Sequence, residues 1–376
     1  MRILVLTHEF PPVGGGGGRA AHDTCQGLVK RGHEVHLLTA HMKGLARHEI
    51  VDGIQIIRIP SLRRTPYKAD LLAMIGFNIA AFWVGLRQIR TWHPDIIHVH
   101  FAVPAGPIAW LLSRINDIPY VITAHLGDIP GGVPQKTSNW FRWVYPFTPP
   151  IWRDAGQVVA VSEYSRKLAQ EYYPVDIEVV PNGVDLDVLD PGTIQVNNPP
   201  KITFAGRLMP QKNPVTLVRV MAQLRDLDWK FIMLGDGPLQ AEVEREIALA
   251  DMQDRFTLTG WVTPDDVTDS FMDSDILFMP SIAEGLPIVG VQALAMGLAI
   301  IGSRVGGFIE IVEQGKNGYL FSPENSAAME LELRKLISSP EMLLAFRKKS
   351  REFAERFGIN RVVDEYIQIF EKEASI

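Results

Sequence analysis

Two cations in the C-terminal half of the chain are spaced for phosphate chemistry. Arg207 and Lys212 lie five residues apart in a loop that opens with Gly206 and follows the apolar run 201–205, which the pattern predicts to be a buried strand. An arginine offers phosphate oxygens a planar fork of donors, and a lysine offers a point charge. Solvated surface charge is the alternative, but cations at a strand end in an acidic half favour phosphate. The loop therefore predicts a diphosphate site.

A second loop in the same half combines a carboxylate with a predicted helix start. It reads Ser281-Ile-Ala-Glu284-Gly285-Leu286-Pro287, and Pro287 suits the first helical position. The Glu284 carboxylate could accept sugar hydroxyls, while backbone amides and the helix dipole favour a phosphate group. Gln292 follows along the same predicted helix. A third loop, Gly235-Asp236-Gly-Pro238, is interpreted as a tight, mostly structural turn that could line the site.

The N-terminal half places an imidazole and a carboxylate at the end of a predicted strand, in Thr123-Ala-His125-Leu-Gly-Asp128. A lone histidine is more often structural than catalytic, but the strand-end position makes the two interpretations of His125 about equal. His98 and His100 alternate with apolar residues on another strand, so that one face holds both. Without a carboxylate at ligand spacing, packing and hydrogen bonding are favoured over metal binding.

Five consecutive glycines, Gly14 to Gly18, follow the first predicted strand and precede a helix. Their backbone amides could approach a phosphate or sugar closely, whereas the alternative is a flexible turn. A nicotinamide dehydrogenase is disfavoured, because Pro11-Pro12 separates the strand from the glycines. The second strand also ends at Thr39-Ala40, without the acidic residue that would hold an adenosine ribose.

The elements that position these loops alternate between strand and helix in both halves of the chain. Strands that are apolar on both faces imply parallel sheets covered by helices on each side. A segment with linker chemistry, residues 185–200, separates the two series, and the alternation restarts at Lys201. The sequence therefore predicts two successive doubly wound α/β domains.

Composition narrows the class of protein further. The chain has 376 residues and a net charge of −6, and residues 1–190 hold 18 Lys/Arg and 17 Asp/Glu. Neither half is basic enough to predict a nucleic-acid partner. Cys25 is the single cysteine, which favours a reducing, cytoplasmic location. The uncharged run Leu71 to Leu86 has 16 residues, fewer than the ~20 that span a bilayer, so an integral membrane protein is not expected.

Two segments of the first half could contact a membrane surface or sugar rings. Residues 58–90 combine an apolar helix with Arg58, Arg63, Arg64, Lys68, Arg87 and Arg90, which fits peripheral contact with an anionic membrane. A core helix with solvated arginines at its ends is the favoured alternative. Aromatic residues are dense from Trp140 to Phe147 and at Trp152; they could stack on sugars, lie at a lipid interface or pack a helix on the sheet.

Taken together, these motifs resemble those of the retaining glycosyltransferases of family 4. The resemblance runs over nearly the whole chain in consistent order and spacing. The matching segments are the glycine run, Asp95-Ile-Ile-His-Val-His100, Thr123-Ala-His125, Val161-Ser-Glu-Tyr-Ser165, Val180-Pro-Asn-Gly-Val-Asp185, Ala205-Gly-Arg-Leu208 with Lys212, Gly235-Asp-Gly-Pro238, Glu284-Gly285, Val305-Gly-Gly307 and Asn317-Gly-Tyr-Leu320.

The resemblance implies the α/β GT-B architecture, with two facing Rossmann-like domains and a cleft between them. The domains would span residues 1–184 for the acceptor and 185–357 for the nucleotide-sugar donor, with a C-terminal helix 358–376 crossing back onto the first. The implied activity is transfer of a sugar from a UDP- or GDP-sugar to a hydroxyl of a carbohydrate, lipid-linked or small-molecule acceptor. The products would be polysaccharides, glycolipids or glycosides.

The resemblance also implies roles for individual residues. Arg207 and Lys212 would stabilise the departing diphosphate, Gly15 and Gly16 would cap it, and Glu284 would hold sugar hydroxyls. The backbone of Gly285, Leu286 and Pro287 would line the sugar and phosphate subsite. His125 would contact the donor sugar near the reacting carbon. Gly206, Gly235 and Asp236 belong to the implied donor site, and no metal or other cofactor is expected.

One position departs from the family pattern, which has a second glutamate where this chain has Gln292. An amide keeps an acceptor for the ribose hydroxyls and loses the charge, which leaves nucleotide preference open. Two alternatives share the architecture: a sugar-nucleotide epimerase and an inactive sugar-nucleotide-binding subunit.

Overall fold

The computed structural model describes residues 1–65, 70–133 and 141–375, except for the side chain of Arg142. Lys68 and Trp140, which the sequence singles out, lie outside the described residues. The chain divides into two compact units. Unit 1 comprises Met1–Gly183 and Ile359–Ile376, and unit 2 comprises Val184–Gly358. The division between them falls one residue before the predicted boundary.

Unit 1 is built on an eight-stranded sheet of order β3-β4-β2-β1-β5-β6-β7-β8. The strands are β1 (Arg2–Leu6), β2 (Glu34–Ala40), β3 (His48–Val51), β4 (Ile54–Ile59), β5 (Ile96–His100), β6 (Tyr120–Ala124), β7 (Gln157–Ala160) and β8 (Ile177–Val179). All pair in parallel except β3, which pairs antiparallel with β4 through Asp52-Gly53, both at positive φ. The all-parallel prediction is therefore wrong at this edge, because a two-residue turn permits only antiparallel pairing.

Helices cover both faces of this sheet and enclose two apolar cores. The described helices are Gly16–Lys30, Leu71–Trp92, Gly106–Asn116, Phe141–Val144, Pro149–Arg153, Glu163–Gln170 and Ile359–Ala374. One core joins Phe77, Leu112 and Trp152 beneath one face of the sheet. The other joins Leu28 to Tyr366 and Phe370 of the C-terminal helix, so that the last residues of the chain complete unit 1.

Unit 2 has a six-stranded parallel sheet of order β11-β10-β9-β12-β13-β14. Its strands are β9 (Lys201–Ala205), β10 (Lys230–Leu234), β11 (Phe256–Leu258), β12 (Ile276–Met279), β13 (Ala299–Ser303) and β14 (Gly318–Phe321). Its helices are Pro214–Ala222, Gln240–Leu249, Pro264–Met272, Ile288–Ala295, Phe308–Ile311, Ser326–Ser338 and Pro340–Ala354. Short 3-10 turns span Tyr145–Phe147 in unit 1, and Pro210–Lys212 and Glu355–Phe357 in unit 2.

Each sheet has one point where the strand order reverses direction. In unit 1 this point lies between β1 and β5, and in unit 2 it lies between β9 and β12. The loops that leave neighbouring strands diverge there to opposite faces and open a crevice at the carboxyl edge, where ligands bind in open α/β sheets. The loops carrying Arg207, Lys212 and Glu284 flank this point of unit 2.

The helix Leu71–Trp92 is longer than the uncharged run in its sequence. By length and composition alone it could cross a membrane, and 33% of its apolar window is buried. Phe77 and Ala81 of this helix lie in the core beneath the sheet. Because these residues are fixed in unit 1, we assign the helix to the covering layer of the sheet.

Candidate functional site

The loop after β9 is joined to the loop after β12 through Gln211. The side-chain amide of Gln211 donates to the backbone carbonyl of Ala283 over 2.8 Å. The backbone carbonyl of Gln211 accepts from the backbone N–H of Ile282 over 2.7 Å. Gln211 is buried. These two bonds fix the relative position of the loops that carry Lys212 and Glu284. Gln211 carries no signal in the sequence, because its role depends on a neighbour 72 residues away.

Lys212 and Glu284 meet at the carboxyl edge of the sheet. The ammonium of Lys212 donates to Oε1 of Glu284 over 2.6 Å, and their side chains are 17% and 6% exposed. An ammonium has three N–H donors, so one bond to Glu284 leaves others for a second acceptor. The structure thus brings together two of the four predicted catalytic residues as an ion pair.

Glycines hold the loop around Glu284 against its neighbours. A Cβ added at Gly306 would lie 1.6 Å from the carbonyl oxygen of Glu284, and one at Gly307 would lie 2.0 Å from that of Gly285. Gly306 also has a φ of +51°, which disfavours other residues. The motif Val305-Gly-Gly307 therefore allows a backbone approach that no side chain permits.

The turn after β10 packs equally closely on the loop that carries Arg207. A Cβ at Gly235 would lie 2.3 Å from the carbonyl oxygen of Gly206, and the carbonyl of Asp236 accepts from the N–H of Leu208 over 2.8 Å. Arg207 itself is partly exposed. Gly206, Gly235 and Asp236 therefore shape the loop through backbone contacts, as expected for a mostly structural turn.

The helix after Glu284 begins one residue later than predicted, at Ile288, with Pro287 in the N-cap position. No side chain in the described part of the chain caps its N-terminus, so its first amides can bind a ligand. Leu286 is buried. Gln292, in the second turn, is only 7% exposed.

In unit 1, His125 lies directly after β6 among other aromatic rings. Its Nε2 is 3.0 Å from Nδ1 of His100, and its ring centroid is 4.5 Å from that of Phe101. Burial lowers the pKa of His125 to about 4, although the nearby carboxylate of Glu9 acts in the opposite direction. His125 is therefore neutral at pH 7 and can act as a hydrogen-bonding group there.

Asp128 holds the turn that follows His125. Its two carboxylate oxygens accept the backbone N–H groups of His125 over 2.9 Å and of Ala102 over 2.7 Å. Burial raises the pKa of Asp128 to about 6, against the effect of these bonds. Phe101 and Leu126 beside it have positive φ angles of 71° and 97°. Such strained backbone at two strand ends is typical of ligand sites.

His98 and His100 lie inside unit 1, where they pack and form hydrogen bonds as predicted. Nε2 of His98 is 2.8 Å from Oγ1 of Thr123, which in turn is 2.9 Å from the hydroxyl of Tyr366. The ring centroids of His98 and His100 are 4.3 Å apart. Burial lowers the pKa of His98 to about 3 and that of His100 well below its usual value.

The glycine run forms a turn and then the start of a helix. Gly15 and Gly16 are exposed, and the helix Gly16–Lys30 begins inside the run and not after it as predicted. Oε2 of Glu9 accepts the N–H of Gly15 over 3.1 Å, and a Cβ at Gly17 would lie 2.4 Å from the ring of Phe101. Glu9 and Phe101 thus join the glycine run to the environment of His125, a link that the sequence did not indicate.

The aromatic segment of unit 1 divides between core and surface. Phe141 and Trp152 are buried, and Trp152 stacks on Tyr173 with ring centroids 4.2 Å apart. Trp143 and Phe147 are 70% and 75% exposed. Packing therefore accounts for Phe141 and Trp152, whereas Trp143 and Phe147 lie mostly at the surface.

Two family descriptions match the chain. "Glycosyltransferase Family 4" matches residues 14–188, and "Glycosyl transferases group 1" matches residues 191–353. Together they cover residues 14–353 except 189 and 190, which includes every predicted site residue.

Curated relatives agree with these matches. A 2-deoxystreptamine glucosyltransferase from Streptomyces kanamyceticus is 28% identical over 363 residues, covering 89% of this chain and 92% of that protein. A D-inositol 3-phosphate glycosyltransferase from Rhodococcus erythropolis is 25% identical over 418 residues, covering 99% and 91%.

Solved structures match over the whole length. Sucrose-phosphate synthase from Thermosynechococcus elongatus has a TM-score of 0.86 at 18% identity and covers 99% of this chain and 98% of its own. Anabaena HepE in complex with UDP and glucose has a TM-score of 0.79 at 18% identity and covers 99% and 100%. The chain therefore belongs to the group 1 glycosyltransferases of family 4 and has the two-domain α/β fold of GT-B proteins.

Proposed function

We propose that this glycosyltransferase moves a sugar from a nucleoside-diphosphate sugar, UDP- or GDP-linked, to a hydroxyl of a carbohydrate, lipid-linked or small-molecule acceptor. The observation that carries the proposal is the ion pair of Lys212 with Glu284 at the reversal point of unit 2, where Lys212 shares its loop with Arg207. It offers a cation for the leaving diphosphate and a carboxylate for the sugar hydroxyls. Transfer would serve the biosynthesis of a polysaccharide, a glycolipid or a glycoside.

Charge development explains why these groups suit the reaction. As the bond between the anomeric carbon of the sugar and the diphosphate of the donor breaks, positive charge grows on the sugar and negative charge on the diphosphate. Lys212 and Arg207 would stabilise the diphosphate, assisted by the uncapped amides that follow Pro287. These groups supply the electrostatic role that a metal ion has in other transferases, so we propose a metal-independent reaction. Full activity after dialysis against EDTA would support this, and loss restored by a divalent cation would refute it.

We propose retention of anomeric configuration, by attack of the acceptor hydroxyl from the face that the diphosphate leaves. A retaining glycosidase uses two carboxylates about 5 Å apart. In this chain the partner of the Glu284 carboxylate is the ammonium of Lys212 and not a second carboxylate. A donor phosphate oxygen would instead take the acceptor proton. The anomeric configuration of the first-formed product, followed by proton NMR, tests this step, and an inverted product would overturn it.

His125 would act as a neutral hydrogen-bonding group toward the sugar. Its low pKa, due mainly to burial, keeps the ring uncharged at pH 7. An uncharged ring avoids repulsion from the positive charge that grows on the sugar in the transition state. The same low pKa keeps it from donating a proton as a general acid at neutral pH.

Two kinds of relative support a nucleotide-sugar donor. HepE was crystallised with UDP-glucose, and the catalytic domain of Arabidopsis starch synthase IV with ADP and acarbose. Gln292, in place of the family's second glutamate, leaves the nucleotide open. A thermal-shift screen with UDP-, GDP- and ADP-sugars tests the donor, since a ligand that binds only the native state raises the unfolding midpoint. No shift with any of them would contradict the proposal.

The epimerase and the inactive binding subunit are separated by one assay. Incubation with donor and an acceptor panel gives acceptor-dependent nucleotide release if the chain is a transferase. An isomerised donor without acceptor would indicate the epimerase, and binding without turnover would indicate the subunit. The family matches favour transfer.

We also propose a cytoplasmic location for the protein. Its single cysteine, Cys25, is buried and free, and its proposed substrates are nucleotide sugars.

A further inference from the structure

The helix Leu71–Trp92 presents an apolar stripe to solvent. Its members are Leu72, Ile75, Ile79 and Trp83, which are 63%, 47%, 60% and 65% exposed. Their spacing of three, four and four residues places them on one face over about 16 Å of helix. Surface leucines and isoleucines occur singly on most proteins, whereas a contiguous row of this length marks an interaction site.

A second segment extends this apolar stripe. Leu62 is 68% exposed and lies beside the helix, since a Cβ added at Gly76 would lie 3.4 Å from its side chain. The opposite face of the helix carries Phe77 and Ala81 into the core. Both faces of the helix are therefore apolar, and only one of them is covered by described residues.

Arginines continue the stripe toward the end of the helix. Arg87 and Arg90 follow Trp83 at four and seven residues, and both are exposed, as is Arg64 near Leu62. Among the described residues none of the three forms an ion pair. Asp70 is the only acidic residue from position 62 to 92, and it is engaged as the helix N-cap by Ala73 N–H at 2.8 Å. The surface is thus apolar along its length and positive at its margins.

A basic depression adjoins Leu62 at the carboxyl ends of β2 and β4. It has a volume of ≈ 490 Å³, and its lining includes Leu62, Lys43, Arg47 and Arg63. Lys43 and Arg47 are exposed, whereas Arg63 is buried and donates to the carbonyl of His8 over 3.0 Å. Phosphate groups at the level of a lipid headgroup would meet positive charge here while the stripe enters the apolar boundary.

We propose that the stripe, with Leu62 and its arginines, is a docking surface for an anionic lipid bilayer. Apolar side chains in one row suit the interfacial region of a bilayer, and the unpaired arginines complement anionic headgroups. The helix lies in the plane of the membrane and does not cross it, because its other face is fixed in the core of unit 1. The inference is independent of the proposed donor and acceptor, since docking requires neither.

Flotation of the full chain with vesicles tests the docking surface. We expect co-flotation with phosphatidylglycerol vesicles at low salt, weaker co-flotation at high salt, and little with phosphatidylcholine. Arg87→Gln with Arg90→Gln should weaken binding to the anionic vesicles roughly 30-fold, and Ile79→Ser with Trp83→Ser should weaken it at least ~10-fold. Thermal melting accompanies each variant to verify folding; all four side chains are exposed, so the midpoint should change little.

Trp261→Ser is the matched control, because Trp261 is 55% exposed and belongs to unit 2. It should float as the wild type does. The proposal is overturned if the wild type does not bind anionic vesicles at low salt, or if the control weakens binding as much as the stripe variants do. Sedimentation of the same proteins without vesicles tests self-association. A dimer that the Ile79 and Trp83 substitutions dissociate would assign the stripe to a second copy of the chain and overturn the proposal of membrane docking.

Discussion

Lys212 and Glu284 form an ion pair 2.6 Å long although 72 residues separate them in the chain. The two side chains come from loops on either side of the point where the strand order of unit 2 reverses. The pair is nearly buried, and each partner keeps the other's charge compensated until a ligand arrives. The same two residues are those that the sequence assigns to the diphosphate and the sugar.

Replacement of Lys212 tests its role in the leaving-group step. We expect Lys212→Ala to lower turnover at least ~10-fold, because it removes a charged contact to the developing negative charge. Steady-state nucleotide release measures the effect. Lys201→Ala is the control, since Lys201 pairs with Asp273 at the amino end of β9. Equal activity in both variants would remove Lys212 from the site.

A substitution at Gly306 tests the close contact between its backbone and that of Glu284. Gly306→Ala should weaken donor binding, because its Cβ would lie 1.6 Å from the Glu284 carbonyl oxygen and displace the loop. Gly315→Ala is the matched control: it also has positive φ, at 76°, but its Cβ would meet only Tyr319 at 4.0 Å. Calorimetric titration with a nucleoside diphosphate compares the two. Wild-type affinity in the Gly306→Ala variant would contradict the prediction.

Gln292→Glu restores the carboxylate that the family pattern contains. We expect a change in nucleoside-diphosphate affinity that exceeds any change in turnover, because the proposed contact is to the ribose. Titration with UDP and GDP measures the first quantity, and nucleotide release measures the second. Gln253→Glu adds the same charge at an exposed position of unit 2 and serves as the control. If neither quantity changes, Gln292 does not face the ribose.

The buried histidines of unit 1 predict a loss of stability in acid. The pKa values of His8 and His125 are lowered from 6.5 to about 4 and that of His98 to about 3, mainly by burial. Between these values and 6.5 the unfolded chain binds more protons, so the free energy of unfolding falls as the pH decreases. Asp128 acts oppositely, since its pKa is raised to about 6 and its stabilising effect is lost as the pH rises.

Because three histidines outweigh one carboxylate, we expect unit 1 to be less stable at pH 5 than at pH 7. His98→Gln should reduce this difference by about 1.4 kcal/mol per pH unit over the range where the missing proton would bind. His48→Gln, at an exposed position of β3, is the control. Hydrogen exchange of amides in β5 and β6 at both pH values measures the effect. A pH-independent stability would contradict the prediction.

Asp275 and Arg347 form a buried ion pair at the amino end of β12. Arg347 also donates to the carbonyl of Gly297 over 2.8 Å, and burial lowers the pKa of its guanidinium. Arg347→Met leaves the Asp275 side chain buried without its ion-pair partner, and should cost unit 2 about 3–5 kcal/mol of unfolding free energy. Hydrogen exchange in β12 and β13 measures it. The exposed pair of Arg361 with Glu365 provides the comparison, with a cost of about 0–1 kcal/mol on replacement of Arg361.

The sequence determined most of the regular structure of this protein. β9 begins and ends at the predicted residues, 201 and 205, because apolar runs bounded by turn residues are local signals. The loops with Arg207, Lys212 and Glu284 were found for the same reason, since a strand end can be read from its own neighbours. The antiparallel edge strand β3 was missed, because its four residues are mostly exposed and lack the apolar pattern of a buried strand.

The tertiary structure decided which of these residues meet and which surfaces stay open. The bonds of Gln211 to Ala283, the approach of Gly306 to Glu284 and the contact of His100 with His125 join distant parts of the chain. No local pattern encodes them, because they depend on strand order and on the register between strands. The exposed stripe of Leu71–Trp92 has the same origin: a helix that is apolar on both faces reveals its uncovered side only when packed.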